Sequence, residues 1–156
     1  YMVDNFGDNA LKPSNDFDRP MTESELKTFV KHEYVTLGNH TDNHINLKVH
    51  SYDEIKESLL SANEFLRSVT NAKIRSVSYP HGFVSEEIAE LVSDMGFEIG
   101  ITTVPKRNHV LDVNETDKKM LLHRTQLSGY YNMESQCRNL HTNSFSLMSQ
   151  LKSVFK

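Results

Sequence analysis

Cysteine is nearly absent from the chain: Cys137 is the only one in 156 residues. No disulfide can form within it, so the redox compartment is left open. Long apolar runs are missing too. None approaches the roughly 20 residues that a helix needs to cross a bilayer, and no signal-peptide pattern opens the chain. There is no basic excess. Lys and Arg number 17 against 21 Asp and Glu, for a net charge of −4, which excludes the electrostatic footprint of a nucleic-acid binder. Neither a Gly-rich phosphate loop nor a Gly-x-Ser-x-Gly elbow occurs, which removes P-loop nucleotide chemistry and serine-hydrolase chemistry. Internal repeats and low-complexity tracts are lacking as well.

What is present is an ordinary globular balance, 37% hydrophobic and 24% charged. The length fits a single domain over residues 1–156, enough to bury a core. Strand and helix signals alternate along it. Residues 1–3 read as the end of a strand, without an initiating Met, which suggests that the N-terminal part of a larger domain precedes them. Residues 5–20 are rich in Asn, Asp, Gly and Pro and read as loop. Thr22 and Glu25 form a capping box, opening a helix with an apolar stripe of Leu26, Phe29 and Val30. Residues 34–37 are a strand stopped by Gly38. Ser51 and Glu54 make a second capping box. Ile55, Leu59, Ala62, Leu66 and Val69 then mark a buried helix face.

Residues 74–79 are the next strand, ended by Pro80-His81-Gly82. Ser85 caps a third helix, with Ile88, Leu91, Val92 and Met95 inward and Gly96 closing it. Residues 97–103 read as a strand, 105–118 as a polar loop and 120–127 as a strand. Residues 133–155 read as a closing helix that buries Cys137 as a small hydrophobe. This alternation predicts an α/β fold with a mostly parallel sheet or barrel. In such folds chemistry sits beyond the carboxyl ends of the strands.

Three polar segments stand at those ends. His40 and His44 are four residues apart, a spacing that puts two side chains on one face of a helical turn. Two imidazoles so placed suit zinc, although a zinc site has three or four ligands. Thr41 can bond back to the backbone, and Asp42 or Asn43 can support the histidines. The competing reading is a pair of solvated loop histidines. Tyr79-Pro80-His81-Gly82 is a rigid turn that can aim a backbone N–H at an oxyanion and present Tyr79 as a wall to a sugar ring; it can equally be a plain strand-to-helix turn. His123 and Arg124 end the 120–127 strand, where a histidine suits proton transfer and a solvent-facing pair is the plainer alternative. His32, His50, His109 and His141 have no partner at ligand spacing and read as surface residues.

The stretch from Thr36 to Leu47, with Asn39-His40-Thr41-Asp42-Asn43-His44 at its centre, resembles the His-Ser/Thr-x-x-His motif of the polysaccharide deacetylases (carbohydrate esterase family 4, the NodB homology domain). Ser78-Tyr79-Pro80-His81-Gly82 resembles that family's Tyr-Pro-Tyr-Gly turn, with His81 in place of the aromatic residue. Met120-Leu121-Leu122-His123-Arg124-Thr125 resembles either the Leu-x-His general-acid motif or a Leu-Pro-Arg-Ile-like strand. Nothing matches the family's first motif, Thr-Phe-Asp-Asp-Gly, which carries the general base and the third metal ligand.

The resemblance implies an incomplete (β/α) barrel of the NodB type, N-terminally truncated. It implies a divalent metal, Zn by its ligand chemistry, held by His40 and His44. It places Tyr79, Pro80, His81 and Gly82 at the substrate and oxyanion, and His123 and Arg124 in catalysis: His123 as acid, or Arg124 orienting the catalytic Asp. The implied substrate is an N-acetylated polysaccharide or oligosaccharide, with action at the cell envelope or in secreted form. A glycan-binding domain that kept the fold and lost its base, or an O-acetyl esterase, would carry the same motifs.

Overall fold

The computed structural model describes residues 7, 12–13, 15–16, 18–108 and 116–141. The strand expected at residues 1–3 lies outside them, as does the closing helix beyond residue 141. The chain divides into two units, Tyr1–Thr36 and Leu37–Lys156.

In the first unit, helix α1 spans Glu23–Phe29 and begins with the capping box of Thr22 and Glu25. The Glu25 carboxylate also receives the Arg19 guanidinium in a two-pronged contact at 2.8 and 2.7 Å. Arg19 foremost, and then Thr22, hold this carboxyl well below the usual carboxylate range. No residue of the helix is buried; Leu26 and Val30 are half-buried and Phe29 is exposed.

The second unit holds the core. Helix α2, Tyr52–Thr70, starts at the predicted capping box. The Ser51 hydroxyl accepts from the Glu54 N–H, and the Glu54 carboxylate accepts from the Ser51 N–H at 2.8 Å. The helix ends at Asn71, which takes the left-handed conformation common after a helix. Ile55, Leu59, Ala62 and Val69 are buried as their spacing predicts, and Leu66 packs against them half-buried.

Strand β1 is Ser76–Ser78 and strand β2 is Ile99–Ile101. They run parallel, with Val77 opposite Gly100. Helix α3, Glu86–Asp94, makes the crossover, capped by Ser85. Parallel bridges extend the sheet on both sides, Asn39 to Val77 and Ile101 to Leu122. Four chain segments thus lie side by side in sequence order. Helix α4, Thr116–Lys119, precedes the fourth, inside the stretch expected as polar loop. Helix α5 spans Met133–His141. Cys137 is exposed on it, because Met133 through Arg138 find little to pack against; the expectation of a buried thiol is corrected.

The strands are narrower than the apolar runs that announced them. Burial and pairing are separate demands: Phe97 and Ile74 are core residues outside the ladder. The 34–37 run is likewise shifted, and pairing falls on Asn39, past Gly38, which therefore does not stop the strand. The core joins Leu47, Ile55, Leu59, Val77, Tyr79, Ile88, Val92, Phe97 and Met120. Val77 and Tyr79 both point inward, two residues apart, as strand alternation requires. The Tyr79 hydroxyl donates to the Met120 carbonyl at 2.8 Å. This bond passes over Gly100, where a Cβ would collide with both partners.

The capping carboxylate of α2 gives a pH prediction. Hydrogen bonds from the Ser51 N–H and hydroxyl lower the Glu54 pKa. A depressed carboxyl stabilises the fold above its unfolded value, about 4.3, and loses that contribution as pH falls toward its folded value. Glu54→Gln is expected to lower the urea midpoint at pH 7, and its deficit against the parent should be smaller at about pH 3, below the free carboxyl value. An equal difference at both pH values would remove the charge from this account.

Candidate metal centre

The site forms where the first two parallel segments end. Asn39 pairs with β1 through its backbone: its N–H donates to the Ser76 carbonyl at 2.8 Å and its carbonyl accepts from the Ser78 N–H at 2.9 Å. Its side chain, 1% exposed, points into the protein. The amide nitrogen donates to the Leu59 carbonyl at 2.9 Å and to Asn63 Oδ1 at 2.8 Å, both on α2. The amide oxygen accepts from the Thr41 N–H at 2.7 Å. Sequence reasoning passed over Asn39. Its signal was a polar residue at an inward strand position, directly before a histidine.

His40 follows, exposed, with Nδ1 2.6 Å from the Ser78 carbonyl oxygen. A carbonyl only accepts, so Nδ1 carries a proton, and in the neutral ring Nε2 is left with its lone pair. Backbone clamping of one ring nitrogen is the usual companion of metal ligation through the other.

His40 and His44 are not on a helical turn, which corrects the geometry assumed from their spacing. Thr41 and His44 take left-handed backbone conformations, with φ of 62° and 53°. This tight loop, rather than a helix, brings the two rings to 4.8 Å between centroids in an edge-to-face arrangement. Asp42 does not support the histidines: its N–H donates to Ser58 Oγ and its carboxylate accepts from Ser61 Oγ, both on α2.

His81 joins the pair from the turn that follows β1. Its ring lies 4.6 Å from that of His44, again edge to face. Pro80 precedes it and its φ and ψ are 57° and 0°, the pattern of a type II turn. The Gly82 and Phe83 N–H groups donate to the carbonyls of Tyr79 and Pro80; the His81 N–H enters neither bond. The His81 carbonyl accepts from Thr103 Oγ1 at 3.0 Å. Gly82, at φ 73°, has no room for a Cβ against Thr103.

The expected sugar wall is not at Tyr79. That residue is fully buried, because it shares the inward face with Val77, and burial raises its phenol above the usual range. Pro80 is buried too. Both residues anchor the turn and only His81 is exposed. His123 follows the Leu122 bridge, half-buried. Its N–H donates to Asn108 Oδ1 at 2.8 Å and its carbonyl accepts from Asn108 Nδ2 at 2.9 Å. Arg124 is exposed, its N–H donating to the Val104 carbonyl. Neither belongs to the row of three rings. Of the remaining histidines, His32 is exposed and His50 lies 3.6 Å from Glu54; His109 and the side chain of His141 fall outside the described residues.

The nitrogen donors of His40 and His44 fit a divalent ion of zinc type as two of its ligands. Among the described residues, no group of three or more His, Cys, Asp or Glu side chains is placed to hold a metal ion.

The profile of the family described as Polysaccharide deacetylase matches residues 5–100. The chain belongs to the polysaccharide deacetylase family. The matched stretch includes His40, His44 and the Tyr79–Gly82 turn, and ends before His123. No curated protein matches the chain by sequence.

Solved structures share this deacetylase fold of helices and parallel strands. The Streptococcus pyogenes deacetylase PplD, in complex with acetate, superposes with a TM-score of 0.66 at 18% identity, over 76% of this chain and 50% of that one. A polysaccharide deacetylase from Bacillus cereus gives 0.67 at 19%, over 87% and 44%. The deacetylase domain of BpsB from Bordetella bronchiseptica gives 0.58 at 18%, over 74% and 52%. The chain thus spans about half the length of these structures.

The Asn39 amide carries a prediction. Asn39→Ala takes the side-chain partner from the Thr41 N–H and from Asn63 Oδ1 in a largely buried setting. Chemical denaturation should show a loss of about 2–3 kcal/mol; a loss below about 0.5 kcal/mol, the range of ordinary surface substitutions, would mean the amide does not hold the loop.

Proposed function

We propose that the chain is part of a metal-dependent hydrolase that removes N-acetyl groups from the sugars of a polysaccharide. The observation that carries this reading is the 2.6 Å contact of His40 Nδ1 with the Ser78 carbonyl, which leaves Nε2 as a ligating nitrogen beside the ring of His44. Zinc held there would supply a Lewis acid for the acetamide carbonyl and the attacking water.

The rest falls to the chain. The His81 N–H, unused within its turn, donates to the oxyanion that develops as water adds to the carbonyl carbon. Either His123 gives its proton to the amine nitrogen as the carbon–nitrogen bond breaks, or Arg124 orients the carboxylate that acts as base. That carboxylate, with the third metal ligand, is expected from the Asp-Asp motif absent from these 156 residues, so hydrolysis by this stretch alone is expected to be weak. The products are acetate and a free amino sugar. In this reading, residues 1–156 form one domain whose parallel segments belong to a (β/α) barrel, working at the cell envelope or in secreted form. Among the described residues no helix is long and apolar enough to cross a membrane.

Two experiments on the full-length protein test the reading. His40→Ala with His44→Ala should abolish zinc binding in a dialysed sample measured by elemental analysis; unchanged zinc content sinks the metal site. Chelator should suppress acetate release from acetylated chito-oligosaccharides, and added zinc should restore it. Full activity after exhaustive dialysis against chelator would require a different chemistry.

A further inference from the structure

His40 and His44 are held in different ways. The His40 ring is fixed by a hydrogen bond to the Ser78 carbonyl. Among the described residues, no hydrogen bond is recorded to either ring nitrogen of His44. A metal-binding imidazole ordinarily has such a bond, which sets its tautomer and its plane. His44 is also exposed, so no burial restrains it. What touches its ring is two other rings: His40 at 4.8 Å and 70°, and His81 at 4.6 Å and 82°.

The geometry points to His81 as a positioning residue for His44, its ring doing the work that a hydrogen bond does at His40. This rests on the reading of His40 and His44 as metal ligands. Edge-to-face contact is the favoured arrangement for aromatic rings at such separations. The contact orients only if the backbone that carries the His81 ring is fixed, and it is. Tyr79 and Pro80 are buried beneath the turn, the Gly82 N–H closes it on the Tyr79 carbonyl, and Thr103 holds the His81 carbonyl. His44 therefore sits between two rings that are each tied to β1 or its following turn. The role asks for a flat ring at position 81 and for no ring nitrogen.

The full-length protein tests this with two substitutions. His81→Asn tolerates the left-handed backbone and removes the ring. His81→Phe keeps a ring and removes both nitrogens. Zinc affinity is measured by competition with a chromophoric chelator, and the visible absorption of the cobalt-substituted protein reports ligand geometry. His81→Asn should bind zinc about tenfold more weakly, the scale of losing a ligand's supporting partner, and should alter the cobalt bands. His81→Phe should restore both to near the parent. If His81→Asn binds as tightly as the parent with the same bands, the positioning role is overturned. If Asn and Phe weaken binding alike, it is overturned in favour of a direct nitrogen–metal bond. Absence of zinc binding by the parent itself would instead remove the metal site, and the positioning role with it.

Discussion

The side-chain amide of Asn39 is the contact on which the rest of the site depends. It is buried, and it meets three partners: a carbonyl and an amide on α2, and the backbone of Thr41. The first two lock the strand end to the helix that covers it. The third folds the chain back at Thr41, where a left-handed residue is needed. Without that reversal His40 and His44 would diverge along an extended chain. A buried amide is costly unless its hydrogen bonds are met. Here they are met by groups whose positions matter to the site, so the cost of burying it is converted into placement.

Left-handed backbone recurs where the rings meet. Thr41, His44 and His81 all take positive φ, as does Asn71, where a helix end explains it. Such conformations are disfavoured for residues with a Cβ and persist where the surroundings over-determine them. Each of the two loops has that determination. The Asn39 amide sets the first, and the buried Tyr79-Pro80 pair with Thr103 sets the second. The parallel sheet brings the two together, because Asn39 and Val77 are neighbours in it and the loops leave from the same end.

The helices were legible in the sequence because their signals are local. Thr22 with Glu25, Ser51 with Glu54, and Ser85 mark helix starts through bonds spanning three residues, and all three stand in the structure. The parallel segments were legible as apolar runs but not in extent, since pairing depends on a neighbour distant in sequence. The histidine pair was found, and its geometry was not: a four-residue spacing says nothing of the left-handed conformations at Thr41 and at His44 itself. Tyr79 was misplaced for a related reason. Its motif drew it toward the substrate, while its alternation with Val77 put it in the core, and alternation decided. His81 as a neighbour of His44 could not be read at all, because 37 positions separate them and only the sheet joins them.

The Tyr79–Gly82 turn divides its labour by depth. Tyr79 and Pro80 are spent on anchorage, bonded across Gly100 to Met120 and sealed from solvent. His81 projects from that anchorage and contributes nothing to the core. The side chain at this position is therefore evolutionarily cheap: any residue that accepts the backbone can be tried there without unsettling the sheet. A lineage could retune the neighbourhood of His40 and His44 through this one exposed position while the hydrophobic interior stays as it is.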